Sequence, residues 1–192
     1  MKLTDIYENL LNEFTITGKI YHGGAIKGAR NVDEFMGKNN LDKPNQEAIN
    51  SFFQTYITSR VQDGFYWFTD DISMAREFAN YKSDNQGGGL LFLVEANSYA
   101  KNTLKTTWDE MEEMINELRY EKDIYLNHFA ELAPYLKSNT DYDSWFTDMK
   151  IMGQPYNDIC LFDKNLFKVT NVIFGYEDVT KNIPPSEKSL YR

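Results

Sequence analysis

Three consecutive glycines, Gly87-Gly88-Gly89, are followed at once by five apolar residues, Leu90-Leu91-Phe92-Leu93-Val94. The glycines break whatever helix precedes them. A continuous apolar run of this length reads as a strand buried at the centre of a sheet. The chain has 192 residues, which suits one domain spanning residues 1–192 better than two.

Around that strand the periodicity changes repeatedly. Leu3, Ile6, Tyr7, Leu10, Leu11 and Phe14 recur at three- and four-residue spacing and predict an amphipathic helix. Gly18 releases the chain into a short strand over residues 19–22, and Gly23-Gly24 opens a polar loop reaching Asn40. A second helix is expected from Pro44 to Val61, through Ile49, Phe52, Phe53, Tyr56 and Ile57. Asp63-Gly64 marks a turn, and Phe65-Tyr66-Trp67-Phe68-Thr69 reads as a strand. Asp70 or Asp71 then caps a helix carrying Ile72, Ala75, Phe78 and Ala79.

Helical spacing returns from Thr106 to about Lys137, and a further short helix is expected from Tyr142 to Met152, ended by Gly153-Gln154-Pro155. Strands at Asp158–Phe162 and Phe167–Phe174 follow, then a loose tail over about 180–192. The whole is an α+β arrangement with a helical insert at about 106–152. Neither GxGxxG nor GxxxxGK[ST] occurs, which argues against a Rossmann or P-loop fold.

The charge balance is 20 basic against 29 acidic residues, a net charge of -9. Duplex binding needs a dense basic footprint to displace counterions, so a small ligand and a protein are the expected partners rather than nucleic acid. Cys160 is the only cysteine, which excludes an internal disulfide and fits a reducing compartment. Met1-Lys2-Leu3-Thr4-Asp5 lacks a signal peptide's apolar core, and no apolar run approaches the roughly 20 residues a membrane span needs. The expectation is a cytoplasmic protein with no membrane partner. Two histidines and one cysteine make a zinc site unexpected, and no metal is assigned.

Chemistry concentrates in three short segments: Ile20-Tyr21-His22-Gly23-Gly24, Gly64-Phe65-Tyr66-Trp67-Phe68-Thr69-Asp70-Asp71, and Tyr156-Asn157-Asp158-Ile159-Cys160-Leu161-Phe162-Asp163. Strand alternation sets Asp158 opposite Ile159 and Leu161, the placement of a cleft-facing acid. Ordinary readings stand beside these. A lone histidine after a strand is commonly a structural hydrogen-bonder, and one of Tyr66 and Trp67 is a core aromatic. Asp70-Asp71 is a helix cap rather than a metal pair, Cys160 a buried strand residue and His128 an ordinary helix residue. Phe78 and Tyr81 pack their helix onto the sheet.

The three segments together resemble the His-Tyr-Glu class of ADP-ribosyltransferases, which includes the poly(ADP-ribose) polymerase catalytic domain and small bacterial and phage relatives. The resemblance spans about residues 19–176 at some twenty positions. It implies split antiparallel or mixed sheets forming an NAD cleft with flanking and inserted helices. It also implies NAD as donor and a macromolecular acceptor, expected to be a protein, as for a toxin or phage effector. Carried onto this chain, it gives Asp158, His22 and Tyr66 as catalytic residues. Tyr21, His22, Gly23, Tyr66, Trp67 and Thr69 would contact NAD. His22 would bond a ribose hydroxyl, Gly23 would present its backbone to the carboxamide, and Tyr66 would stack on nicotinamide. Arg30, with Lys27, stands in the loop after His22 where it could meet the pyrophosphate.

Two positions depart from the family's pattern. Asp158 stands where the family has glutamate. The second segment also carries an extra residue, so counting from Gly64 gives Tyr66 as the stacking ring and counting back from Phe68-Thr69 gives Trp67. The chemistry needs such a set in any case: loss of nicotinamide leaves an oxocarbenium-like ribose, which a fixed carboxylate stabilises in the transition state. A fold of this kind that only binds, or one that passes ADP-ribose to water, are the alternatives.

Overall fold

The computed structural model describes residues 14–16, 18–42, 45–60, 64–85, 88–122, 125–126, 131–151 and 154–175. Along them run β1 (Lys19–Ile26), α1 (Val32–Lys38), α2 (Gln46–Arg60), β2 (Tyr66–Thr69), α3 (Ile72–Asn85), β3 (Leu90–Ser98) and β4 (Thr103–Thr107). Then follow α4 (Trp108–Lys122), α5 (Leu132–Asn139), β5 (Ser144–Ile151), β6 (Gln154–Leu161), a 3-10 turn at Lys164–Leu166 and β7 (Phe167–Phe174).

The strands form one mixed sheet in the order β4-β5-β6-β2-β1-β3-β7. β3 lies between β1 and β7 and pairs extensively with both, so the apolar run after the glycines is indeed interior. On one face, Phe35 and Met36 of α1 and Ile49, Phe53 and Ile57 of α2 pack against Ile20, Phe68, Phe92, Val94, Ile159 and Leu161. On the other, α3 lies on β1, and α4 and α5 bury Met111, Met114, Leu118, Leu132 and Leu136 against Trp145, Cys160 and Phe162.

β4 and β5 run parallel. A parallel pair cannot be closed by a tight hairpin and needs a crossover; α4 and α5 are that crossover, which accounts for the helical insert. α4 starts with a capping box: the Glu110 amide donates to Thr107 Oγ1 at 3.3 Å, and the Thr107 amide donates to Glu110 Oε2 at 2.7 Å. Asp71 caps α3 as expected, its Oδ1 accepting from the Ser73 amide at 2.7 Å.

Four stretches differ from the sequence reading. β1 runs on through Gly23 and Gly24, because the two glycines admit neighbours rather than break the strand. A Cβ on Gly23 would stand 1.6 Å from the Ala75 carbonyl oxygen of α3, and one on Gly24 2.5 Å from the Phe92 ring on the opposite face. Residues 32–38 are a helix, not loop, started by Asn31, whose side chain accepts from the Glu34 amide. Residues 103–107 are a strand. The segment expected to be helical over Tyr142 to Met152 is strand β5, fixed by pairing with β4 on one edge and β6 on the other.

The helix expected over residues 3–14, apart from Phe14, lies outside the described residues, as do His128 and the tail. Among the described residues no helix is long and apolar enough to cross a membrane.

Candidate active site

The strand order sets the three chemistry-bearing segments side by side. Tyr21 on β1 stands opposite Thr69 on β2, and Thr69 stands opposite Asp158 on β6. Directly paired residues share a face, so the three form one row. At a strand spacing of about 4.8 Å the Cα atoms of Tyr21 and Asp158 lie about 10 Å apart. The row continues through Thr147 to Thr106. Tyr21 with Thr69 is, among the described residues, the one pair joining β1 to β2; the expected split is a seam within a single sheet.

The row lies on the face that carries all three of α3, α4 and α5. Gly23, two residues from Tyr21, meets α3, and Cys160, two residues from Asp158, lies in the cluster under α4 and α5. Two cavities open by this face. One, of about 500 Å³, is lined by Tyr21, Asp70, Asp71, Ile72, Tyr156 and Asn157. The other, of about 830 Å³, shares Tyr156 and Asn157 and extends past Trp108 and Asp148. Asp158 lines neither, but its strand neighbours Tyr156 and Asn157 line both.

Asp158 is half-buried. Burial raises its carboxyl from the ordinary 3.8 to about 7, partly opposed by the Ile159 backbone amide. Tyr156, two residues back on the same face, has its hydroxyl pushed up to about 12, chiefly by burial and then by the charge of Asp158. The same two causes, in that order, hold the Cys160 thiol well above its usual range. A carboxylate whose ionisation is resisted by burial responds strongly to a positive charge brought near it.

His22 is one residue past Tyr21 and so on the other face by strand alternation, its ring 5.9 Å from that of Phe68 and 6.4 Å from that of Phe92. Its Nδ1 is 2.9 Å from the Trp67 carbonyl oxygen, across the seam. A carbonyl only accepts, so Nδ1 carries the proton and Nε2 is left as an acceptor. Burial keeps the ring neutral, outweighing the Trp67 carbonyl, and the charge of Lys82 acts in the same sense as burial. The structure thus brings Tyr21, Thr69 and Asp158 together and sets His22 at the seam behind them.

Four expected contacts change meaning. Tyr66 is 4% exposed and packs 5.3 Å from the Phe167 ring, in the core opposite the face of Asp158. It is a core aromatic, and of the two rings Trp67 is the one on the face of Asp158, packed edge-on to Trp145 at 5.2 Å. Thr69 is 1% exposed, and its hydroxyl accepts from the Asp71 amide; it starts α3 rather than offering a ligand contact. Gly23 is a glycine because α3 crosses it, not because a ligand does. Arg30 lies beyond Ile26, itself about 17 Å along β1 from Tyr21, in a separate cavity with Gly28, Asn31, Glu34 and Gly89.

Phe78 packs as expected, against Tyr156 at 6.0 Å, whereas Tyr81 is 66% exposed. Tyr156 is the site residue the sequence reading passed over. The expected strand began only at Asp158; β6 starts at Gln154, which sets Tyr156 two residues before Asp158 on the same face. Among the described residues no group of three His, Cys, Asp or Glu is placed to hold a metal ion. Compared with known proteins, the sequence matches no family model and no curated protein.

Proposed function

We propose that this chain is an ADP-ribosyltransferase-type enzyme that binds NAD, breaks its nicotinamide–ribose bond and transfers ADP-ribose to a macromolecule, most simply a protein. The observation that carries the reading is the row Tyr21–Thr69–Asp158. It gathers at one seam the three segments on which the family resemblance rests. A seam between β1 and β2, with helices flanking it, also supports the cleft architecture that the resemblance implies.

In the proposed reaction the bond's electron pair leaves with nicotinamide, which departs neutral, and positive charge develops on the ribose around C1′. The Asp158 carboxylate faces that charge, and its partly desolvated setting makes the attraction stronger than in water. An acceptor nucleophile then bonds to C1′ and loses its proton to solvent. The positive nicotinamide ring of bound NAD favours the ionised carboxylate, drawing its pKa down from about 7. Tyr21 and Tyr156 line the cavity beside the acid and offer aromatic surface to the leaving ring. His22, neutral and bonded to the Trp67 carbonyl, fixes β1 to β2 from the face behind the row.

Incubation of the chain with adenosine-labelled NAD and a cell lysate tests the reading. A labelled macromolecule together with free nicotinamide supports it. Free ADP-ribose alone replaces transfer by hydrolysis. Absence of both nicotinamide release and NAD binding rejects it.

A further inference from the structure

We infer that the larger cavity is the docking site for an arginine- or lysine-bearing segment of the acceptor protein. This rests on the transferase reading above and names its partner. β5 and β6 outrun their neighbours: β4 pairs with β5 only as far as Asp148, and β2 pairs with β6 only from Asp158. Among the described residues, the remaining parts of the two strands pair only with each other. The cavity of about 830 Å³ lies between this strand pair and the first turn of α4, walled by Trp108, Asp109, Asp148, Met149, Tyr156 and Asn157.

The aromatic and apolar part of that wall suits the stem of a long side chain. Trp108 lines the cavity at 38% exposure, with its Nε1–H donating to Glu112 at 3.0 Å, and an indole in such a wall attracts a cation. The charge of the wall selects the cation. In the smaller cavity the carboxylates are engaged, Asp70 by the Asn157 amide and Asp71 by the Ser73 backbone. Asp109 and Asp148 are exposed and have no hydrogen-bond or ion-pair partner among the described residues. The doubly negative pyrophosphate of NAD is repelled from this wall, and so is a nucleic-acid acceptor. Tyr156 and Asn157 belong to both cavities, so a side chain held here abuts the site where ribose would be attacked.

Calorimetric titration of the full chain, without NAD, tests this with three probes: a ten-residue Arg/Lys-rich peptide, an acidic peptide of equal length and a single-stranded oligonucleotide. The basic peptide should bind and the other two should not. The double variant Asp109→Asn/Asp148→Asn should weaken that binding about tenfold, a few-fold for each exposed charge pair, while nicotinamide release from NAD alone stays at the wild-type rate. Equal binding of basic and acidic peptides, preferential binding of the oligonucleotide, or unchanged binding by the double variant overturns the inference. So does loss of nicotinamide release in that variant, which would assign the carboxylates to the donor site. A chain that binds the basic peptide but never releases nicotinamide upholds the surface and refutes the transferase reading.

Discussion

Replacing Asp158 by asparagine separates the charge of the side chain from its shape. In the folded chain burial holds its carboxyl near 7, against the ordinary 3.8 of the unfolded chain. The native state therefore binds more protons than the unfolded state between those two values, and stability falls as pH rises through that window. At about 1.36 kcal/mol per pKa unit, a rise of about three units costs about 4 kcal/mol once the group is fully ionised. Partial solvent access lowers the expected figure to about 2–4 kcal/mol.

Asparagine keeps the volume and never ionises. The Asp158→Asn variant should therefore gain on wild type by about 2–4 kcal/mol between pH 4 and pH 8, whatever constant offset the amide introduces. Urea unfolding of both proteins at the two pH values measures this, and taking their difference cancels the other titrating groups. A difference that stays flat with pH, or that moves toward wild type, refutes the reasoning and means that the carboxylate is well solvated or paired.

Three further outcomes follow from the same geometry. Because the ionised acid is the active form, kcat/KM for nicotinamide release should rise with pH and level off above about 7; a decline across pH 6–8 contradicts this. Gly23→Ala would place a methyl 1.6 Å from a backbone oxygen of α3, which cannot yield unless the helix moves. A loss of about 3 kcal/mol or more is expected in thermal unfolding, and a wild-type melting curve would show that α3 does not lie as described. Tyr66→Phe should leave nicotinamide release within about twofold of wild type, since that ring packs in the core; a tenfold fall would return Tyr66 to the site.

Much of this architecture is legible in the chain, and the failures have physical causes. The run Leu90–Val94 declares an interior strand because it is apolar on both faces, too short for a helix and bounded by three glycines. Helical spacing over Trp108, Met111, Met114, Ile115 and Leu118 declares α4, but its start at Trp108 rather than Thr106 is fixed by β4 and by the Thr107–Glu110 capping box. β5 was hidden because Trp145, Phe146 and Met149 imitate a helical stripe; its partners on both edges, which no local pattern reveals, decide the matter. Gly23 and Gly24 look like a strand's end until α3 and Phe92 are seen to need the space.

The site divides in the same way. The three segments stand out by composition, and alternation puts Asp158 on the face opposite Ile159 and Leu161. The choice between Tyr66 and Trp67 could not be counted out, because the extra residue in that segment leaves two registers. The pairing of Thr69 with Asp158 settles which ring shares the face of the acid. Arg30 is close to Tyr21 in sequence, but most of the residues between them are extended strand, which carries the chain away from the row.

Nicotinamide release from NAD by wild type and by Asp158→Asn, assayed side by side at pH 8 on protein shown to be folded, bears most directly on the proposed chemistry. Wild type should release nicotinamide, and the equally folded variant should be slower by about a hundredfold or more. Release by the folded variant at the wild-type rate would contradict the central role given to Asp158.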